Sequence, residues 1–144
     1  MKILKWFFLL IIFSANTFAA QAINAKLPPA YALKGTSTAV VGIALDEKGF
    51  PVETVSKIIL KPGQKVIFAG PDRFQLVFKN RKSPSRAMKY SSKNGVVTVA
   101  IPADIFEQKK FIEEAKRNET IRFDYSIIVN GQELDPPMII QRGP

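Results

Sequence analysis

From Ile121 to Val129 apolar side chains fall on every second position. Ile121, Phe123, Tyr125, Ile127 and Val129 alternate with a second set that includes Arg122, Asp124 and Ser126. Period two with one apolar face predicts a strand that covers a core with one side only. The same pattern recurs in "RFQLVFK" (73–79), through Phe74, Leu76 and Phe78, and in "VVTVAI" (96–101), through Val97, Val99 and Ile101. "TAVVGIALD" (38–46) is rich in β-branched residues and runs into "EKG", a turn. "ETVSKIILKPGQKVIFAG" (53–70) predicts two strands around Pro62-Gly63. There Pro presets one turn angle and Gly accepts the positive φ that follows. In "VNGQELDPP" (129–137) Asn130-Gly131 reverses the chain and Asp135-Pro136 opens the next segment. Pro136-Pro137 beside "MIIQ" places the start of that last segment at a sheet edge or bulge.

One stretch departs from this alternation. "PADIFEQKKFIEEAKRN" (102–118) is full of helix formers, has Asp104 and Glu107 at capping-box spacing, and ends in Lys116-Arg117-Asn118. Ile105, Ile112 and Ala115 give it a narrow apolar stripe. It predicts one short helix, whole or in two pieces, over one end of the sheets. Residues 23–37 carry paired prolines and no period, which predicts an extended arm. About seven strands with turns between them and one helix predict an all-β sandwich, a single domain over residues 38–144.

The N-terminus bears on the compartment. Lys2 and Lys5 precede the apolar run "WFFLLIIF" (6–13), and "SANTFAAQA" (14–22) is small and polar. That order predicts a secretory signal peptide over residues 1–22, cleaved after Ala22, with Ala19 as the alternative site. The apolar run is shorter than the roughly 20 residues of a membrane span. Export to the periplasm or beyond is the expectation, with no transmembrane segment left after cleavage. Removing 22 of the 144 residues leaves 122, one ordinary domain. The chain has no Cys, so packing must stabilise it without disulfides. Loss of Lys2 and Lys5 lowers the net charge from +9 to +7.

Two segments carry a resemblance. "IILKPGQKVIF" (58–68) is similar to the strand–turn–strand of the cupredoxin-like family, and "IRFDYSIIVNGQELDPPMIIQR" (121–142) resembles that family's last two strands with the ligand loop between them. The resemblance spans residues 38–142 and implies a cupredoxin-like Greek-key β-sandwich. It also implies where a copper centre would sit. The family's first His falls near Phe74, its Cys near Ile127, its second His within residues 130–137. None of these is a ligand here, and Met138 alone matches the axial position. A lone thioether needs thiolate and imidazole beside it to hold copper, so Met138 is expected in the core and no cofactor is expected.

Chemistry is bounded further by absence of residue types. The chain has no His and no Cys, which removes Ser-His-Asp catalysis, thiol nucleophiles and ordinary zinc, haem or blue-copper sites. The carboxylates Asp104, Asp124, Glu133 and Asp135 are the candidates for a carboxylate-based glycan hydrolase, with no pattern that pairs them. Enzymatic activity is not expected. Basic residues are the positive signal: Lys79, Arg81, Lys82, Arg86, Lys89 and Lys93 lie in a stretch with no acid between Asp72 and Asp104. Residues 79–95 predict a long basic loop between two strands. Such a loop suits anionic lipid, lipopolysaccharide, wall polymer or an acidic protein, through contacts that weaken with salt. Nucleic acid is not expected as the target of an exported protein. Two rivals stand beside this reading: a loop that merely keeps a sheet edge from pairing, and a protein-docking or inhibitor domain of an envelope complex.

Overall fold

The computed structural model describes residues 27–143. The expected leader over residues 1–22, with its expected cleavage after Ala22, lies outside the described residues. The described chain is an all-β sandwich with one short helix. Its elements are β1 (Thr38–Leu45), β2 (Pro51–Glu53), β3 (Ile58–Leu60), β4 (Lys65–Ala69), β5 (Gln75–Phe78), β6 (Lys89–Ser91), β7 (Val96–Ala100), α1 (Ile112–Asn118), β8 (Thr120–Val129), β9 (Gln132–Leu134) and β10 (Pro137–Gln141).

The first sheet has the order β2-β1-β4-β7, the second β3-β10-β8-β5-β6, with β9 also on β8. Both sheets are mixed, because β1 runs parallel to β4 and β10 runs parallel to β3. Long β8 organises the second sheet: its first half pairs with β10 and its second half with β5 and β9. Period two holds in every strand that the alternation marks. Ile121, Phe123, Tyr125, Ile127 and Val129 are all buried, as are Phe74, Leu76, Phe78, Val97, Val99 and Ile101. They meet Val41, Val66 and Phe68 of the first sheet in one core. The Phe68 and Tyr125 rings touch edge to face across it, centroids 5.6 Å apart.

Among the described residues ten strands form rather than about seven, and four of them are only three residues long. Residues 53–60, expected as one strand, break at a bend. β2 belongs to the first sheet and β3 to the second, so the chain crosses the sandwich between them. The Pro62-Gly63 turn forms as expected, with Gly63 at φ 80 and Gln64 N–H donating to the Lys61 carbonyl at 3.1 Å. It is another crossing and not a hairpin, since β3 and β4 lie in different sheets. The arm is tied down: Ala30 is buried, donates to Lys57 O and accepts from Ile59 N, both at 2.8 Å.

The helix is shorter than expected. Residues 103–111 make successive tight turns, with Ile105 N–H to Pro102 O, Glu107 N–H to Asp104 O and Phe111 N–H to Gln108 O. These turns bury Ile105, Phe106 and Phe111, three side chains that a single narrow stripe would not present together. Asp104 therefore closes a turn and caps no helix. α1 begins after Phe111, without a side-chain cap, and ends at Glu119 in the left-handed region at φ 58. No helix among the described residues is long and apolar enough to cross a membrane.

At Asn94-Gly95 the chain reverses between Lys93 and Val96. Gly95 has φ +73, and a Cβ there would lie 2.5 Å from the Gly70 carbonyl oxygen. Only glycine combines that backbone conformation with so close an approach.

Candidate functional site: a basic face

The basic stretch is an ordered structure and contains an edge strand, β6, which the sequence pattern had placed inside one long loop. After β5 the chain turns sharply, with Asn80 and Arg81 both at positive φ and Lys82 N–H donating to Lys79 O at 3.0 Å. Serines then close residues 83–87 on themselves. Buried Ser83 donates through Oγ to Ala87 O at 2.6 Å and accepts from Ser85 N–H at 3.2 Å. Ser85 also bonds Tyr90 OH, which ties the turn to β6.

The six candidate residues divide into three pairs. Lys79 and Lys82 have internal partners. Lys79 pairs with Asp135 at 2.8 Å. That hydrogen bond raises the Lys79 pKa, and together with Ser126 it lowers that of Asp135. Lys82 pairs with Glu114 of α1 and lies over the Phe123 ring, 5.3 Å from its centroid. Glu114 also accepts from Arg122 N–H at 2.9 Å, so this carboxylate staples α1 to both the loop and β8. Arg81 and Arg86 are the second pair. They are exposed and face two adjoining clefts. Lys89 and Lys93 are exposed but line neither cleft.

The fold adds cations that the sequence reading missed. One cleft, about 410 Å³, is lined by Arg81, Lys82, Lys110 and Arg117, with Glu113 and Glu114 on its helix side. The other, also about 410 Å³, is lined by Arg86, Lys110, Pro84 and Ser85. Lys110 thus stands between them, its Nζ 4.7 Å from the centroid of the Phe111 ring. The signal for it, Lys109-Lys110 and Lys116-Arg117 in the sequence, reads locally only as helix chemistry. Within these clefts five basic side chains outnumber two acidic ones.

Three of the positions at which the resemblance would place copper ligands hold buried apolar side chains. Phe74 and Ile127 are buried. Met138 is buried too, opposite Phe123 in the register of β10 on β8, four residues along from Ile127. At 3.3 Å per residue that is about 13 Å, beyond any shared ligand sphere. A cleft of about 500 Å³ opens at that end of the second sheet, lined by Arg73, Phe74, Gln75, Ser91 and Asn130 among others.

Asp135, Glu133 and Asp124 all lie near enough to Lys79 to raise its pKa, and most of the candidate carboxylates have partners. Asp124 pairs with Arg122 at 2.9 Å, and Asp135 with Lys79. Asp104 accepts from Gln108 Nε2 at 3.1 Å. Among the described residues no group of three or more carboxylates gathers as a cation site.

A fifth acid, outside the candidate set, is the one in an unusual setting. Glu53 of β2 is only 8 % exposed. It reaches across the sandwich to β8, where Tyr125 OH donates to its Oε1 at 2.9 Å, while Oε2 has no partner among the described residues. Burial raises its pKa from 4.5 to about 7, with the Tyr125 bond opposing. Tyr125 is in turn raised well above its ordinary value, by burial first and by the Glu53 charge second.

A scan against protein-family models found no match for this chain, and a search of curated proteins found no similar sequence.

Proposed function

We propose that this protein is an exported binding module that engages phosphate-bearing envelope surfaces through the face formed by Arg81, Arg86, Lys110 and Arg117. The observation that carries this reading is the convergence of two segments of chain on adjoining basic clefts that share Lys110. Cations presented on an ordered turn and on the approach to a packed helix hold their spacing, which favours an array of phosphates over a diffuse counterion cloud. Export rests on the leader pattern of residues 1–22. The cupredoxin-like ancestry is part of the same proposal, supported by the mixed two-sheet sandwich and by the Pro62-Gly63 turn, and it comes without copper chemistry. The glycan hydrolase reading finds no support in the placement of Asp104, Asp124, Glu133 and Asp135.

The test is binding of the chain from Ile23 onward to phosphatidylglycerol and phosphatidylcholine vesicles across a salt series. Each basic side chain near an anionic surface contributes about 1 kcal/mol, so replacing all four by Gln is expected to weaken binding by a factor of roughly 100–1,000. Lys89→Gln with Lys93→Gln is the control and should cost far less. Equal binding to neutral vesicles, or equal losses from both sets, overturns the assignment.

A second reading, protein docking, is favoured by the outer face of the first sheet. Its outward side chains are small or apolar, among them Val40, Ala44, Val52, Ala69 and Val96, and among the described residues Lys65 is its one charge. The occupant this suits is a second copy of the chain, because net positive charge opposes self-association everywhere except across such a face. Sedimentation equilibrium should then show a weak dimer that high salt does not disperse and that Val40→Asp with Val96→Asp does. A chain that stays monomeric at high concentration removes this reading.

A further inference from the structure

A cleft of about 370 Å³ opens where the free edge of β2 meets the segment joining β9 to β10. Its walls are mostly apolar, with Leu27, Val52, Val55, Leu134 and Pro136-Pro137, and Ser56 and Asp135 line it as well. Glu53 is also in its wall and is the group there whose hydrogen bonding is incomplete. This cleft shares no lining residue with the two basic clefts.

The placement follows from the β1–β2 hairpin. Glu53 lies opposite Ile43, whose side chain enters the core, so the register turns the carboxyl inward and leaves Val52 outside. Local alternation alone suggests the reverse. Inside, one oxygen is held by Tyr125, and the other is closed to water and unpaired. A buried acceptor without a donor costs roughly 1–3 kcal/mol. A ligand group that supplies two or three donors and positive charge at that oxygen recovers this cost. The charged group that lines the cleft from another segment is Asp135, just beyond β9, and it is already held by Lys79 and Ser126; Glu133 of β9 does not line the cleft. Among the described residues Glu53 has no cation of its own.

We propose that this cleft is a binding site for a primary ammonium group carried on an aliphatic body, with Oε2 of Glu53 taking the ammonium and the apolar walls taking the chain. The Tyr125 hydroxyl keeps the carboxylate oriented by occupying Oε1. Leu27 and Val52, 46 % and 39 % exposed, form the rim that gives as the ligand enters. The volume is at the lower end for a small-molecule pocket, which suits a short alkyl chain. Binding to the protonated form expels one proton from Glu53 to solvent, so atoms and charge balance without any further reactant.

The probe is n-hexylamine, with 1-hexanol as its uncharged counterpart, titrated into the mature chain and followed by amide chemical shifts. Saturable shifts at Glu53, Val55 and Leu134 are expected for the amine. Between about pH 6 and about pH 8 its affinity should rise roughly tenfold, because the ionised fraction of Glu53 rises by that factor around a pKa of about 7. The amine itself stays charged throughout. Glu53→Gln should weaken the amine at least tenfold and remove the pH dependence, while Leu134→Ala weakens it and leaves the pH dependence in place. Calorimetry in two buffers of different ionisation enthalpy should count close to one proton released per amine at the lower pH. No saturable shift overturns the proposal. So does equal binding of hexanol and hexylamine, or amine binding that survives Glu53→Gln.

Discussion

Phe123→Ala lowers the stability of the folded chain by about 3–5 kcal/mol, the range for truncating a fully buried phenylalanine. Phe123 is where three parts of the molecule meet. Its ring packs edge to face on Phe111 at 5.4 Å and on Phe78 at 6.2 Å, and Lys82 lies over it. On the β10 side it is opposite Met138. A chain of this size has about 5–15 kcal/mol in total, so the loss removes a large share of it. Urea unfolding should show a midpoint moved down with little change in slope. The damage should also be uneven. Phe111 immediately precedes α1, and its carbonyl accepts from Ala115 N–H at 2.9 Å. With its ring partner gone, amide exchange should quicken in α1 more than in β1 and β4, whose strands are also held by their own ladder. Phe123→Leu, which refills much of the volume, should recover over half the loss. A cost under about 1 kcal/mol for the alanine variant would contradict the packing described between helix, loop and sheet.

The strands that carry the core were legible because their alternation persists through several residues. β8 runs through ten residues and β7 through five, enough for the period to declare itself. β2, β3, β6 and β9 have three residues each, and three residues hold barely one period. Turn chemistry was legible at Pro62-Gly63 and Asn130-Gly131, where Gly63, Asn130 and Gly131 take positive φ. Which sheet receives the chain after a turn was not, because that depends on partners far along the sequence. Ser126 shows the same limit. It falls on the polar side of β8, yet it is 1 % exposed because Asp135 folds back to accept its hydroxyl at 2.7 Å. The basic residues were legible as charges and not as a site. Lys82 reads as a free cation until Glu114, 32 residues away, is placed beside it. Lys110 and Arg117 read as parts of a helix until the fold lays them next to Arg81. Glu53 was missed altogether, since a glutamate in "PVET" looks like an ordinary exposed residue. The Asp46–Phe50 turn fixes its register, with Asp46 Oδ1 accepting from Lys48 and Phe50 N–H, both at 2.9 Å, and register alone decides which way it faces.

Glu53→Gln should make the chain more stable at neutral pH and leave it nearly unchanged in acid. An acid whose folded pKa lies above its unfolded one keeps a proton that the unfolded chain has already given up. The stability tied to Glu53 is therefore complete below 4.5 and is lost as pH rises to about 7, where the folded carboxyl finally ionises. The shift corresponds to about 3 kcal/mol at 1.36 kcal/mol per unit, an order-of-magnitude figure for a buried group. Gln keeps the shape and the acceptor for Tyr125 but has no charge to desolvate, so it escapes that loss. The two proteins should unfold at similar temperatures near the lower limit and separate by roughly 10 °C above the upper one. Tyr125→Phe acts in the opposite direction. It removes the donor to Oε1, leaves both carboxylate oxygens unpaired and costs about 1–3 kcal/mol, most of it above pH 7. Parallel pH profiles for wild type and Glu53→Gln would mean that the folded carboxyl ionises at its ordinary value. In that case the setting across from Tyr125 is not the dry one described, and the ammonium site loses its anchor as well. Diverging profiles would show a carboxyl that weakens the free protein at neutral pH. A bound ammonium group would offset that penalty by giving the ionised form its missing partner.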